Sequence, residues 1–90
     1  MPQQALNEWW LYVNGPRAEA LAALRERLPS CRILDTQEMT RVGETAFVLD
    51  VDAPETREAI RAWQEATRDG ADVPGKLMLI SEHGPRTSAG

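Results

Sequence analysis

The sequence has little of several residues and patterns that would indicate a specific chemistry. Its 90 residues include a single cysteine and a single histidine, too few side chains for a disulfide within the chain or for a structural zinc site. The longest apolar run, Trp9 to Val13, is far shorter than the ~20 residues of a membrane-spanning helix. The first eight residues lack the basic and apolar regions of a secretory signal. We therefore expect a cytoplasmic protein that binds no metal or other cofactor and does not associate with a membrane.

A basic run is also missing. The chain has 14 acidic and 10 basic residues, for a formal net charge of −4. Nonspecific nucleic-acid binding depends on lysine and arginine side chains that neutralise phosphates. The charge therefore predicts that this protein does not bind nucleic acid.

The composition is otherwise that of an ordinary globular domain. Hydrophobic residues make up 42% of the chain and charged residues 27%, both close to the average for globular proteins. Ninety residues suffice for one small domain. We expect that domain to span residues 9–82, between a flexible N-terminus at 1–8 and a flexible C-terminal tail at 83–90.

Local patterns predict six elements within that domain. Aromatic and β-branched residues or apolar alternation indicate strands at 9–13, 31–40, 45–52 and 76–81. Strong helix formers with apolar residues on one face indicate helices at 17–28 and 54–69. Asn14 or Gly15 is the expected cap of the first helix, and Asp52 that of the second. Cys31, at the start of the second strand, is expected to be a half-buried structural thiol.

The order β-α-β-β-α-β is that of the ferredoxin-like arrangement. Right-handed crossovers would place both helices on one face of a four-stranded antiparallel sheet, with strand order 4-1-3-2. The predicted fold class is therefore α+β.

This arrangement leaves one face of the sheet without helices. Alternation directs Trp10, Tyr12 and Val48 to that face, together with either Leu77 and Leu79 or Met78 and Ile80, of which we favour the second pair. The covered face should take Trp9, Leu11, Val13, Phe47, Leu49 and Val51. Such an apolar open face is more than a small monomer normally leaves in water. The terminal segments contain only Leu6 as a large branched apolar residue and would cover little of it.

The first interpretation is therefore a protein-interaction or assembly module. It would form a homodimer or dock another protein through Trp10, Tyr12, Val48, Met78 and Ile80. Tryptophan and tyrosine are frequent anchors of protein interfaces.

The second interpretation is an enzyme, because size and element order over residues 9–82 resemble the dimeric α+β-barrel superfamily. That resemblance implies cofactor-free chemistry, of monooxygenase or isomerase type, on a small and often aromatic molecule between sheet and helices. The superfamily has no universal motif, so it assigns no residue. His83 and Asp50 are the catalytic candidates, and Tyr12 and Asp35 could also polarise a substrate. His83 has the ordinary pKa closest to neutrality.

Three further families share this strand order. Residues 11–15, Leu-Tyr-Val-Asn-Gly, resemble the first strand of RNA-recognition motifs, but the third strand lacks the basic residue and the outward aromatics that stacking on RNA requires. Protease prodomains resemble the chain in topology and in a C-terminal tail. Regulatory modules of the ACT type resemble it in the loop at Asn14–Pro16, where they contact a ligand.

Overall fold

The structure is a computed structural model and describes residues 8–82. Its elements follow the predicted order and lie within three residues of the predicted boundaries. The strands are β1 (Glu8–Asn14), β2 (Arg32–Met39), β3 (Glu44–Asp50) and β4 (Leu77–Ser81), and the helices are α1 (Arg17–Arg27) and α2 (Pro54–Thr67). The expectations for residues 1–7 and 83–90 concern segments outside this range.

The four strands form one antiparallel sheet in the order β2-β3-β1-β4. This is the predicted order 4-1-3-2 viewed from the opposite edge. The fold is α+β and compatible with a ferredoxin-like topology. No helix within residues 8–82 is long and apolar enough to span a membrane.

Both helices pack on the same face of the sheet, which we call the inner face. The largest fully buried side chains come from both layers and include Trp63, Leu24 and Ile60 of the helices. The residues predicted for this face also belong to the core: Trp9, Leu11 and Val13 of β1, Phe47 and Leu49 of β3, and Val51 directly after β3. Burial of these apolar side chains is the main force that holds the layers together.

The helix starts differ from the prediction. Pro16 is the N-cap of α1 and Ala53 that of α2, and neither makes a side-chain cap bond. At α1 the carboxylate of Glu38 in β2 takes the place of a side-chain cap, because it accepts a hydrogen bond from the backbone N–H of Arg17 at 3.2 Å. A long-range contact has thus replaced the local cap that the sequence around Asn14 suggested.

Two irregularities in the sheet change which residues share a face. In β2 the register skips Leu34, which is 41% exposed. In β4 Leu77 lies opposite Val13 and Leu79 opposite Tyr12, so the register shifts at Met78. Ile80 then lies opposite Leu11 and packs against the core. The expectation that Ile80 shares a face with Trp10 and Tyr12 is wrong, and Leu79 takes that place.

The end of β1 ties together loops that are distant in the chain. Gly15 has a φ of +114° and donates its N–H to the carbonyl of Gly43 at 2.7 Å. Gly75 donates to the carbonyl of Asn14 at 2.8 Å. A Cβ on Gly15 would lie 3.0 Å from the Cβ of Pro74, so both the conformation and the close approach require glycine there.

Candidate functional site

The face of the sheet opposite the helices, which we call the outer face, is defined by the strand register. Residues paired across neighbouring strands point to the same side, and every second residue along a strand does so as well. The outer face consists of Glu8, Trp10, Tyr12 and Asn14 of β1, Glu44, Ala46, Val48 and Asp50 of β3, Arg32, Asp35, Gln37 and Met39 of β2, and Leu79 and Ser81 of β4.

The centre of the outer face is already buried in a single chain. Tyr12 is 2% exposed, Ala46 1% and Val48 4%. A second copy is therefore not needed to remove Tyr12 and Val48 from water, in contrast to the expectation from the sequence. Trp10 and Leu79 remain half-buried, so the accessible apolar surface of this face is smaller than predicted.

One end of the outer face keeps an accessible aromatic side chain among charges. We call this the Trp10 end and define it by Glu8, Trp10, Arg32, Asp50 and Ser81. Glu8 lies directly opposite Asp50, and Asp50 lies opposite Arg32 on its other side. Neighbours on one face, direct or diagonal, lie within reach of long side chains. The two carboxylates can therefore act together on a group that approaches Trp10.

Negative charge is concentrated on the outer face. Residues 8–82 hold all 14 acidic residues and nine of the 10 basic ones, a net charge of −5. Four acidic residues and one basic residue of that set, Arg32, lie on the outer face, a net charge of −3. The helices and loops together are close to balanced, so the charge distinguishes one face of the molecule.

On the inner side of β1, the ring of Trp9 has a cation over it. The guanidinium carbon of Arg61 lies 5.2 Å from the centroid of the Trp9 ring. The same guanidinium forms an ion pair with Glu82. Arg61 thus contacts a carboxylate and an aromatic ring at once, a geometry in which both attract the cation.

One of the catalytic candidates, His83, lies outside the described residues, and the other three lie on the outer face. Asp50 is half-buried on the outer face, and Asp35 is exposed and accepts a hydrogen bond from the N–H of Thr36 at 2.8 Å. Tyr12 lies on the same outer face, whereas the barrel resemblance places chemistry between sheet and helices. Residues 8–82 contain no group of three histidine, cysteine or acidic side chains able to hold a metal.

Cys31 lies at the corner between α1 and β2, where a cleft of about 200 Å³ is lined by residues that include Leu28, Pro29 and Ala59. Its side chain belongs to the core and is 8% exposed. Burial raises the pKa of the Cys31 thiol, which outweighs the lowering effect of the Arg25 charge. A thiol with a raised pKa is a poor nucleophile, consistent with a structural role.

Local patterns did not identify Glu8 and Arg32 as members of the outer face, and they favoured Met78 and Ile80 over the alternative pair that contains Leu79. The alternation that places Trp10 on the outer face also places Glu8 there, because the two residues are two positions apart. The positions of Leu79 and Arg32 depend on the register of the strands, which no local pattern specified.

Comparisons with protein-family models, with curated proteins and with solved structures gave no match.

Proposed function

We propose that the chain is a protein-interaction module that docks a partner chain through the Trp10 end of its outer face. The observation that carries the proposal is the half-buried Trp10 on the face that both helices leave open. Tryptophan supplies large contact area at low conformational cost, and the neighbouring charges supply a polar rim.

The alternative, a dimeric α+β-barrel enzyme, draws less support from the geometry. Asp50, Asp35 and Tyr12 lie on the outer face, and the cleft beside Cys31 contains none of them. Cysteine chemistry there is disfavoured by the raised pKa of the thiol. The self-association predicted from the sequence is the alternative form of the interaction, in which the partner is a second copy.

The proposal is tested by retention of a partner on the folded protein. Native mass measurement of the protein isolated from its source cells reports a bound chain, whether a second copy or another protein. The same measurement on a Trp10→Ala variant should show the chain alone. A Val73→Ala variant is the matched control, because Val73 is an apolar loop residue that is 53% exposed and lies outside the outer face.

Circular dichroism of all three proteins checks that the helices are intact. Loss of the partner in Trp10→Ala and its retention in Val73→Ala would support the proposal. A bound chain that both variants retain would place the interface elsewhere, and a wild-type protein that is always alone would overturn the proposal.

A further inference from the structure

We propose that the Trp10 end binds an arginine side chain of a partner protein, with the guanidinium over the Trp10 ring and beside the carboxylates of Glu8 and Asp50. The inference rests on the proposed function and narrows it to a chemical class of partner. It makes the partner a protein whose docking surface is basic.

The first argument is the contrast between the two tryptophans of β1. Trp9 has a cation over its ring, Arg61, and that cation has a carboxylate, Glu82. Trp10 has two carboxylates on its own face, Glu8 and Asp50. No arginine or lysine of residues 8–82 lies over the Trp10 ring. The Trp10 end therefore presents on one face the two kinds of partner, a tryptophan ring and carboxylates, that Arg61 contacts on the inner side of β1.

The second argument is the repulsion between the carboxylates of Glu8 and Asp50. Glu8 and Asp50 are paired directly across β1 and β3, and like charges in that position repel each other. Arg32 lies on the far side of Asp50 from Glu8. Within the described part of the chain, none of these three residues forms an ion pair. A cation supplied from outside would relieve the repulsion and gain attraction from both acids.

Geometry favours arginine over lysine as that cation. A guanidinium is planar, stacks on an aromatic ring and presents several N–H donors to carboxylates at the same time. The amino group of lysine is a compact, strongly hydrated charge that does not stack. The Trp10 end offers a ring and two carboxylates, which together match the flat cation.

The charge of the face also disfavours a second copy in face-to-face contact. An isologous dimer places the same surface of both chains in contact. Each outer face carries a net charge of −3, so two such faces would repel. A basic surface has the complementary charge.

The experiment uses the full chain and two capped pentapeptides that alternate arginine with valine or citrulline with valine. Citrulline keeps the shape of arginine and removes its charge. Binding is followed by nuclear magnetic resonance of the three tryptophan indole N–H groups. We expect the arginine peptide to shift the Trp10 signal and to leave that of Trp63, which donates to the carbonyl of Gly75 at 3.0 Å, unchanged. The citrulline peptide should bind much more weakly, and added salt should weaken the arginine peptide.

A Glu8→Gln/Asp50→Asn double variant should bind the arginine peptide roughly threefold to tenfold more weakly. The matched control is Glu58→Gln/Glu65→Gln, which removes the same charge from exposed positions of α2 and should leave the affinity within about twofold of wild type. Equal binding of the citrulline peptide, equal loss in the control, or a shift of the Trp63 signal without one of the Trp10 signal would overturn the arginine inference.

Failure of this inference is distinguishable from failure of the proposed function. A stable dimer that Trp10→Ala dissociates would keep the outer face as an interface and would overturn the arginine inference. A chain that neither binds the peptide nor retains any partner through Trp10 would overturn both.

Discussion

Trp9 and Trp10 are neighbours in the chain and lie in opposite environments. Trp9 is 5% exposed, belongs to the core and has Arg61 over its ring. Trp10 is half-buried on the outer face, opposite Val48 on one side and Ser81 on the other. The same residue type is therefore buried in the core at one position and partly accessible to solvent at the next.

The difference follows from the two-residue period of a strand, which sends successive side chains to opposite faces. The inner face satisfies its polar groups within the chain. The outer face carries four acidic side chains, of which Glu8 and Asp50 form no ion pair within residues 8–82. Variants that compare the two faces can break or sharpen this contrast.

The largest expected difference is between the two tryptophans. Trp9→Ala removes a core side chain and leaves a cavity, so it should lower the free energy of unfolding by about 3–5 kcal/mol. Trp10→Ala removes a half-buried side chain and should cost about 1 kcal/mol or less. Urea unfolding of both variants measures the difference. Equal losses would mean that Trp10 is a structural residue of the same kind as Trp9.

A smaller effect is expected from the buried hydroxyl on the inner face. Thr45 is 0% exposed and donates its hydroxyl to the carbonyl of Gly15 at 3.1 Å. Thr45→Val keeps the shape but leaves that carbonyl without this donor, so we expect a loss of about 1–2 kcal/mol in urea unfolding. Thr36→Val makes the same exchange at a half-buried position of β2 and should cost less. A cost at Thr36 as large as at Thr45 would contradict this assignment.

The cation over Trp9 should contribute less again. Arg61→Met keeps most of the aliphatic stem and removes the charge that contacts the ring and Glu82. Because the Arg61 side chain is 58% exposed, the loss should be about 0.5–1 kcal/mol. Arg68→Met removes a surface ion pair with Glu65, and we expect its loss of stability to be close to zero. Thermal unfolding of both variants tests whether the ring adds anything beyond a surface ion pair.

The smallest effect concerns the Cys31 thiol and appears only in alkali. Burial raises the pKa of Cys31 in the folded chain above that in the unfolded chain. The unfolded state then loses its proton first, so stability falls as the pH rises through the ordinary thiol pKa of about 8.5. Urea unfolding at several pH values should show this slope in the wild type and a shallower one in Cys31→Ala. Identical slopes would mean that the thiol does not contribute.

The fold was predictable from sequence because local patterns and topology rules agreed. The Phe47, Leu49 and Val51 alternation assigned the inner face, and the element order left one sheet topology to expect. The site was less predictable. The shift of strand register at Met78 places Leu79 on the outer face instead of Ile80. This shift depends on pairing with β1 and has no local signal in the sequence. Arg61 could pair with Glu58 or Glu65 along α2 by spacing alone, and only the packed fold brought Glu82 to it.

The strand order has a consequence for how the chain must fold. β1 pairs with β3 and β4, and β2 pairs with β3 alone, so no strand pairs with a strand of its own β-α-β half. Each half alone would hold two strands and a helix without a single sheet ladder. The β2–β3 hairpin is local, but both ladders of β1 form only when distant segments meet, which slows folding and makes it all-or-none. A chain cut between β2 and β3 should therefore give two fragments that are each unfolded alone and fold only as a one-to-one complex.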